Sequence, residues 1–577
     1  MIIKKCLEFF PSFFFFLLIF YSVSVLYKVF ASNVNLTVTV GNNPPVFTVQ
    51  PFETPSSDTT TPVNVGDNIS FTATLTDPNV DSYYLLLCKN SNAPTPGSLS
   101  APECNGGSSN RLCVGTITAS GASTSCIHAT TGEAVQSQVW YAFGCDNSTQ
   151  SACSASASGS GASGSPYYIN HAPTFTIAPV TPTLNPGGTA VFTVTSGSWG
   201  DADTTPTQDT GKLLVCATSG ITNGVCNGTQ LCASSAINPG SPLTCSYSDA
   251  VNPVKAAGTY PAYVYIVDNH NFGASGAIQG TNVGYTINNM APTVQSVSIN
   301  GGSNITLPGN TTTNINIDST VWDNNGCLTL SATPVSLKFY RSAIGAVGCT
   351  LISSSCYLIT SSSCSIDLAD NCSGSTDKSV KYSCIVPLEY FTDPTDGLIT
   401  TNPYYNENWL STVTAIDLSS ATGSLEGTTP VEIASTNSIE MTSAIDFGSL
   451  APNIASGGGV INIPVTINNT GNIGLDLETK GNGAGLCTDY PTCAGASIGI
   501  SQQKWEYINN TTSYSTGTHP LSSTLTSVPL HILKPLLAVH PAIKSTYWGL
   551  MVPLGQAYGA YTGQNTINSL VSAPANW

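Results

Sequence analysis

Cysteine spacing is the feature of this sequence that most directly suggests chemistry. Two loops each hold a pair of cysteines, "ECNGGSSNRLC" at residues 103–113 and "VCNGTQLC" at residues 225–232. A structural zinc site would be expected to show Cys-x-x-Cys knuckles or a nearby histidine. The two pairs enclose eight and five residues, and neither loop contains a histidine. The spacing therefore favours disulfides over a metal site.

The distribution of the cysteines supports this interpretation. Of the 19 cysteines, Cys6 lies before an apolar N-terminal run, and the other 18 fall six, four, six and two into four successive segments. Self-contained disulfide sets require even numbers, and exported proteins are where disulfides persist. The disulfide candidates are Cys88, Cys104, Cys113, Cys126, Cys145, Cys153, Cys216, Cys226, Cys232, Cys245, Cys487 and Cys493.

The pairing of these cysteines has two solutions at the level of sequence. The constant separation of thirteen residues favours the pairs Cys113–Cys126, Cys232–Cys245, Cys88–Cys104 and Cys216–Cys226. In the nested alternative, Cys104 pairs with Cys113 and Cys88 pairs with Cys126. In either case, Cys145 and Cys153 are expected to close one turn between adjacent strands.

Two acidic loops are candidates for binding a cation. The stretches "DPNVD" and "DAD" place Asp77, Asp81, Asp201 and Asp203 in loops, and calcium prefers oxygen ligands. The alternative is that these residues only form turns, which Asp and Asn favour. Calcium is therefore the one ion that the sequence suggests, and no other cofactor is predicted.

The sequence does not suggest catalysis. Its histidines are scattered and form neither an H-E-x-x-H pair nor a partner to a G-x-S-x-G elbow. They are His128, His171, His270, His519, His531 and His540. We therefore predict that the protein is not an enzyme.

Composition and charge limit the compartment and the partners. Charged residues make up 8% of the chain and the formal net charge is −17, whereas about 25% of a typical globular protein is charged. Such a chain repels nucleic acid and anionic membrane surfaces. Residues 1–31 combine "MIIKK" with a long apolar run, which predicts a signal peptide or an uncleaved signal anchor. Membrane contact is expected only through that segment, if it stays uncleaved.

Apolar residues alternate with polar ones along most of the remaining chain. In "NISFTATLTD" at 68–77, every second residue is apolar, which is typical of a half-buried strand. The starts "NNPPVFTV", "NHAPTFTI" and "NNMAPTV" recur at roughly the spacing of β-sandwich modules. We predict an all-β protein with modules at 42–169, 170–288 and 289–435 and a distinct C-terminal β-sandwich at 436–577.

These landmarks resemble secreted prokaryotic surface proteins built from tandem immunoglobulin-like modules, a broad group that includes cadherin-like and PKD-like repeats. The matching residues are the Asn-x-Ala-Pro starts at Asn170 and Asn289, "TDPNVD" at 76–81 and "VDN" at 267–269. The C-terminal segment is similar to a sandwich common in such proteins through "FGSLAPN" at 447–453. The resemblance implies an extracellular or cell-surface role in adhesion or structure.

We therefore expect a disulfide-stabilised protein that acts by binding or spacing. Its partner would be a surface protein, a glycan or a second copy of the chain. One alternative is a secreted protein that binds or processes carbohydrate, which would require an aromatic cluster in one module. The other is an envelope or filament subunit, which would require self-complementary edges.

Overall fold

The computed structural model describes residues 38, 40–250, 254–367, 372, 376–508, 510–536 and 542–577. The predicted signal segment at 1–31 and Cys6 lie outside these residues. Within them, no helix is both long enough and apolar enough to cross a membrane. The described chain forms two compact units, one reaching Gly132 and continuing over Ser137–Tyr168, the other comprising Glu133–Gln136 and Ile169–Trp577. The finer division into four modules stays a prediction.

The first unit is an antiparallel β-sandwich. Sheet β1-β3-β6 forms one layer and sheet β5-β4-β8 forms the other, which is the strand order of an immunoglobulin-like fold. Along β3, Ile69, Phe71, Ala73 and Leu75 are fully buried, as the alternation in sequence predicts. The strands are β1 (Val46–Thr54), β2 (Val63–Asn64), β3 (Asn68–Thr76), β4 (Tyr83–Cys88), β5 (Arg111–Val114), β6 (Ser123–Ala129), β7 (Ser137–Gln138) and β8 (Tyr141–Asp146). Strand β9 (Tyr167–Asn170) spans the boundary at Tyr168.

The second unit begins with a sandwich of the same type. Strand β12 pairs with β18, and the facing sheet has the order β17-β14-β20-β21, while β11 runs parallel to β22. The strands are β10 (Thr174–Phe175), β11 (Thr183–Leu184), β12 (Thr189–Val194), β13 (Trp199–Gly200), β14 (Gly211–Cys216), β15 (Ile221–Thr222), β16 (Val225–Cys226), β17 (Gln230–Ala233), β18 (Leu243–Ser248), β19 (Gly258–Tyr260), β20 (Tyr263–Asp268), β21 (Thr281–Asn282) and β22 (Tyr285–Ile287).

Two further sandwiches follow within the second unit. The next has two four-stranded sheets, β23-β24-β28-β27 and β26-β25-β29-β30, around one core that contains Phe339 and Trp409. Its strands are β23 (Thr293–Ile299), β24 (Thr313–Trp322), β25 (Leu330–Arg341), β26 (Cys356–Ile359), β27 (Cys364–Ile366), β28 (Ser379–Leu388), β29 (Trp409–Asp417) and β30 (Thr422–Glu426).

The last sandwich packs sheet β31-β32-β38-β36 on sheet β37-β33-β39, with Trp505 and Trp548 in its core. Two four-residue turns, α1 (Gly345–Gly348) and α2 (Ser456–Gly459), are the α-helical elements of the described chain. The predicted all-β class with immunoglobulin-like sandwiches is therefore confirmed. The strands are β31 (Ile439–Met441), β32 (Ile463–Asn469), β33 (Leu475–Gly481), β34 (Leu486–Cys487), β35 (Ser497–Ile498), β36 (Gln503–Glu506), β37 (Thr526–Ile532), β38 (Ile543–Leu550) and β39 (Asn565–Val571).

Candidate metal centre

An asparagine–aspartate hydrogen bond recurs in the first three sandwiches. Strands β8, β20 and β29 each end on an aspartate, and in each case Oδ2 of that aspartate accepts a bond from the Nδ2 of an asparagine that precedes the first strand of the sandwich. The bonds are Asn42 to Asp146 at 2.8 Å, Asn170 to Asp268 at 2.9 Å and Asn289 to Asp417 at 2.7 Å.

A second aspartate lies in the loop that follows β3, β13 or β24. Its Oδ1 accepts the backbone N–H two residues later: Asp77 from Asn79 at 2.7 Å, Asp201 from Asp203 at 2.9 Å and Asp323 from Asn325 at 2.7 Å. The Oδ2 atoms of all three aspartates are buried and have no hydrogen-bond partner among the described residues. A buried carboxylate oxygen without a partner costs free energy unless a proton, a water or a cation satisfies it.

The side chain two residues after this aspartate binds the backbone at the start of the sandwich. It accepts the backbone N–H of the residue that follows the starting asparagine: Asn79 from Asn43 at 2.8 Å, Asp203 from His171 at 2.6 Å and Asn325 from Met290 at 2.7 Å. We call the resulting groups the start clusters. They are Asn42, Asp77, Asn79 and Asp146; Asn170, Asp201, Asp203 and Asp268; and Asn289, Asp323, Asn325 and Asp417.

The second start cluster contains an additional carboxylate, that of Asp209. Asp201, Asp203 and Asp209 each offer an oxygen, and these oxygens lie within 4.8 Å of one another. Asp209 is 1% exposed, and its Oδ2 has no hydrogen-bond partner among the described residues. Calcium binds oxygens at about 2.3–2.6 Å, so oxygens at these separations could contact one ion. The donor set therefore fits a hard divalent cation.

Burial changes the acid–base behaviour of this cluster. Burial, with a smaller contribution from the nearby carboxylates of Asp203, Asp209 and Asp268, raises the pKa of Asp201 to about 7. Burial also raises the pKa values of Asp209 and Asp268. Without a cation, these carboxyl groups therefore bind protons more readily than free aspartates do.

Two histidines lie beside these carboxyl groups. Nδ1 of His171 lies 2.6 Å from Oδ1 of Asp203, and Nε2 of His270 lies 3.3 Å from Oδ1 of Asp209. Nε2 of His171 lies 2.9 Å from the carbonyl of Glu133, so both ring nitrogens of His171 face acceptors. Burial lowers the pKa of His171, but the Glu133 carbonyl and Asp203 raise it by more, and the net shift is upward. The structure thus favours the imidazolium form of His171.

The four aspartates predicted from sequence form two pairs. Asp201 and Asp203 come together with Asp209 in the second unit. Asp77 and Asp81 are neighbours in the first unit, where the N–H of Asp81 donates to Oδ1 of Asp77 at 3.2 Å. Calcium binding itself stays a prediction.

Sequence reasoning missed Asp209 and the role of the asparagines as members of the clusters. A signal was present, because Asp209 precedes Cys216 by seven residues, just as Asp81 precedes Cys88. The recurring Asn–Pro starts and the aspartates at the ends of the late strands were a second signal. What the sequence did not reveal is that these distant positions meet at one end of each sandwich.

The described cysteines form nine disulfides, which confirms the disulfide-bonded class. The first two sandwiches have the connectivity based on the thirteen-residue separation, and Cys145 with Cys153 bridges adjacent strand segments. The bonds are Cys88–Cys104, Cys113–Cys126, Cys145–Cys153, Cys216–Cys226, Cys232–Cys245, Cys327–Cys372, Cys349–Cys356, Cys364–Cys384 and Cys487–Cys493.

No protein-family model matches this sequence, and a comparison with the curated proteins finds no match. Among solved structures, the I-band fragment I67–I69 of titin is 9% identical, with 68% of this chain and 99% of that chain covered and a TM-score of 0.30. The protocadherin γB4 extracellular domain is 11% identical, with 93% and 68% covered and a TM-score of 0.24. A marsupial T cell receptor is 10% identical, with 66% and 99% covered and a TM-score of 0.25. These scores are too low to support conclusions about function.

Proposed function

We propose that this chain is an extracellular or cell-surface protein that acts by binding or spacing and does not catalyse a reaction. The observation that carries the proposal is the start cluster, because the same hydrogen bonds recur in three successive sandwiches. A feature repeated in this way belongs to the scaffold of each sandwich. A catalytic centre would instead be expected once, in one elaborated sandwich.

The disulfides support the proposed extracellular or cell-surface location. Each of the nine bonds joins two cysteines of the same predicted module, at most 45 residues apart. Such local disulfides form and persist in oxidising environments outside the cytosol. Titration of the denatured, unreduced protein should then find almost no free thiol, whereas several free thiols per chain would contradict the proposed compartment.

The second start cluster is proposed to hold one calcium ion through Asp201, Asp203 and Asp209. The ion would satisfy the buried Oδ2 atoms of Asp201 and Asp209, which have no hydrogen-bond partner among the described residues. Since Asp203 also holds the backbone of His171, a bound ion would fix the incoming chain to the loop. Calcium would thereby stiffen the start of this sandwich, as a spacer requires.

Calcium titration of the metal-stripped chain tests this site. We expect calcium to raise the melting temperature, because a ligand at 100 times its Kd stabilises the native state by about 2.7 kcal/mol. Asp209→Asn keeps the shape of the side chain but removes a charge, and should weaken calcium binding at least about tenfold.

Asp323→Asn is the matched control. Asp323 has the position of Asp201 in the third start cluster, where the described residues provide no comparable group of three carboxylates. Its substitution should leave the proposed calcium site intact. Absence of calcium binding by the parent chain, or equal binding by the parent and Asp209→Asn, would contradict the calcium proposal without affecting the structural role.

The partner is proposed to be a surface protein, a glycan or a second copy of the chain. Sedimentation of the purified protein over a concentration range would detect self-association, and binding to glycans and to cell surfaces would detect the other two. Turnover of a substrate by the purified chain would overturn the proposal. Assembly into filaments would instead support the alternative of an envelope or filament subunit.

A further inference from the structure

The loop between β38 and β39 presents two uncovered apolar side chains. Leu554 is 83% exposed and Tyr558 is 102% exposed, so the whole ring of Tyr558 projects into solvent. Single exposed apolar residues are common on protein surfaces. Two exposed apolar side chains on one short loop indicate a binding site more strongly if the loop is rigid. A rigid loop loses little conformational entropy when it binds a ligand.

Hydrogen bonds within and around this loop hold it in place. The Gln556 amide donates to the Ser497 carbonyl at 3.1 Å and to the Tyr561 hydroxyl at 2.8 Å. The Tyr561 hydroxyl in turn donates to the carbonyl of Ala557, the neighbour of Tyr558, at 2.7 Å. The side chains on either side of Tyr558 are therefore used to fix the backbone, while Tyr558 itself points outward.

A second loop, closed by a disulfide, pairs with the C-terminal end of the Tyr558 loop. The backbones of Cys487 and Thr562 exchange two hydrogen bonds, at 2.8 and 2.9 Å, and Cys487 is bonded to Cys493. Tyr561 also packs against a small buried cluster formed by Leu486, Ile498, Leu550 and Val552. The loop that carries Tyr558 is thus held by a neighbouring disulfide, by backbone hydrogen bonds and by the packing of Tyr561.

The surface around the loop carries little charge. Residues 545–577 contain no Asp, Glu, Lys, Arg or His. In the adjoining disulfide loop, Asp489 directs its carboxylate to the backbone N–H groups of Ala494 and Gly495, at 2.9 to 3.1 Å. A strongly charged partner would therefore find little electrostatic complement on this part of the surface.

The size of the exposed apolar surface distinguishes between neutral partners. A stable protein interface buries about 800 Å² on each partner, whereas an aromatic side chain contributes about 150–250 Å². Tyr558 and Leu554 together are too small for the core of such an interface. They match the face of one or two sugar rings.

We infer that the 551–564 loop is a binding site for a neutral glycan, with the Tyr558 ring stacked on the C–H face of a pyranose. Polar groups on the same two loops suit neutral hydroxyls, since Gln564 is exposed and accepts the Tyr490 hydroxyl at 3.0 Å. The inference names one partner class for the proposed binding role. It does not depend on the calcium site.

Affinity electrophoresis of the full chain in gels containing neutral polysaccharides tests the inference. The probes are soluble β-glucan, mannan and xylan, with the polyanion alginate as the charged comparison. We expect at least one neutral polysaccharide to retard the parent chain and alginate not to do so. Tyr558→Ala should weaken the binding at least about tenfold, the effect of losing a central aromatic contact.

Two further variants serve as controls for Tyr558→Ala. Tyr558→Trp should retain binding, because it keeps an exposed aromatic face on the same rigid loop. Tyr405→Ala removes another exposed tyrosine, 52% exposed and distant in sequence, and should bind like the parent. Failure of all three neutral probes, equal binding by Tyr558→Ala and the parent, or loss of self-association in Tyr558→Ala would overturn the inference. The melting temperature with calcium is measured separately, so the two proposals can fail independently.

Discussion

Glu53 shows how a single buried side chain in the first unit responds to its surroundings. It is 1% exposed, and its Oε1 accepts bonds from the N–H and the hydroxyl of Ser57 at 2.9 and 2.8 Å. Burial raises the pKa of Glu53 to about 7, and the bonds from Ser57 offset only part of this effect. Glu53 therefore takes up a proton at a pH where an unfolded glutamate stays ionised.

The first unit should consequently lose stability as the pH rises from 5 to 8. Between the unfolded pKa of about 4.3 and the folded pKa, the native state binds more protons than the unfolded state, so the free energy of unfolding falls with increasing pH. The expected change is on the order of 2–3 kcal/mol. Urea titrations at pH 5 and pH 8, followed by hydrogen exchange in peptides from 46–76, measure it.

Glu53→Gln provides the control for this prediction. The amide is neutral at both pH values, so the variant should show a smaller pH dependence and should be more stable than the parent at pH 8. An unchanged pH dependence in Glu53→Gln would assign the effect to other groups.

Among the strands, one disulfide has the same position in the first two sandwiches. Cys113 on β5 is bonded to Cys126 on β6, and Cys232 on β17 is bonded to Cys245 on β18, each across a separation of thirteen residues. In both cases the bonded strands belong to opposite sheets. The disulfide therefore links the two layers of each sandwich directly.

The double variant Cys232→Ala/Cys245→Ala should lower the free energy of unfolding by about 3 kcal/mol, the chain-entropy value for a loop of this length. Cys216→Ala/Cys226→Ala is a matched comparison, because its separation is ten residues and its entropic effect is nearly the same. Guanidinium titrations of both variants measure the difference. A loss below about 1 kcal/mol for the first variant would mean that packing alone holds the sheets together.

Strands could be predicted from the sequence because their pattern is local. The alternation at 68–77 lies within one stretch of ten residues and corresponds to β3. The metal centre depends instead on contacts between distant residues, such as Asn170 and Asp268, which are 98 positions apart. Asp209 looked like a loop residue, since nothing local indicates that the fold buries it beside Asp201. Composition and residue spacing were enough to predict the strands. Which strand ends and loops lie next to one another became visible only in the folded structure.

At the scale of the whole molecule, a buried ion pair joins the last two sandwiches of the second unit. Nζ of Lys534, just after β37, lies 2.7 Å from Oδ1 of Asp393, in the segment between β28 and β29. Nε of Arg341 contacts the other oxygen of Asp393 at 3.0 Å. Burial lowers the pKa of Lys534, although Asp393 opposes this shift.

Lys534→Met should destabilise the junction between these sandwiches. The side chain of Lys534 is 0% exposed, and removing one partner of a buried ion pair typically costs about 3–5 kcal/mol. We expect a loss at the lower end of this range, because Arg341 still neutralises Asp393 and methionine fills much of the space. Chemical denaturation measures the loss, and limited proteolysis should show faster cleavage within 389–438.

Lys544→Met is the control for this last prediction, because Lys544 lies on β38 of the same sandwich and is exposed. Losing an exposed lysine should change stability by less than about 0.5 kcal/mol. If Lys534→Met were as stable as Lys544→Met and equally resistant to protease, the ion pair would contribute nothing to the junction. Packing between the sandwiches would then have to hold them together. If Lys534→Met alone is cleaved faster, the buried pair fixes one sandwich to the next, which is the property that a spacing protein requires.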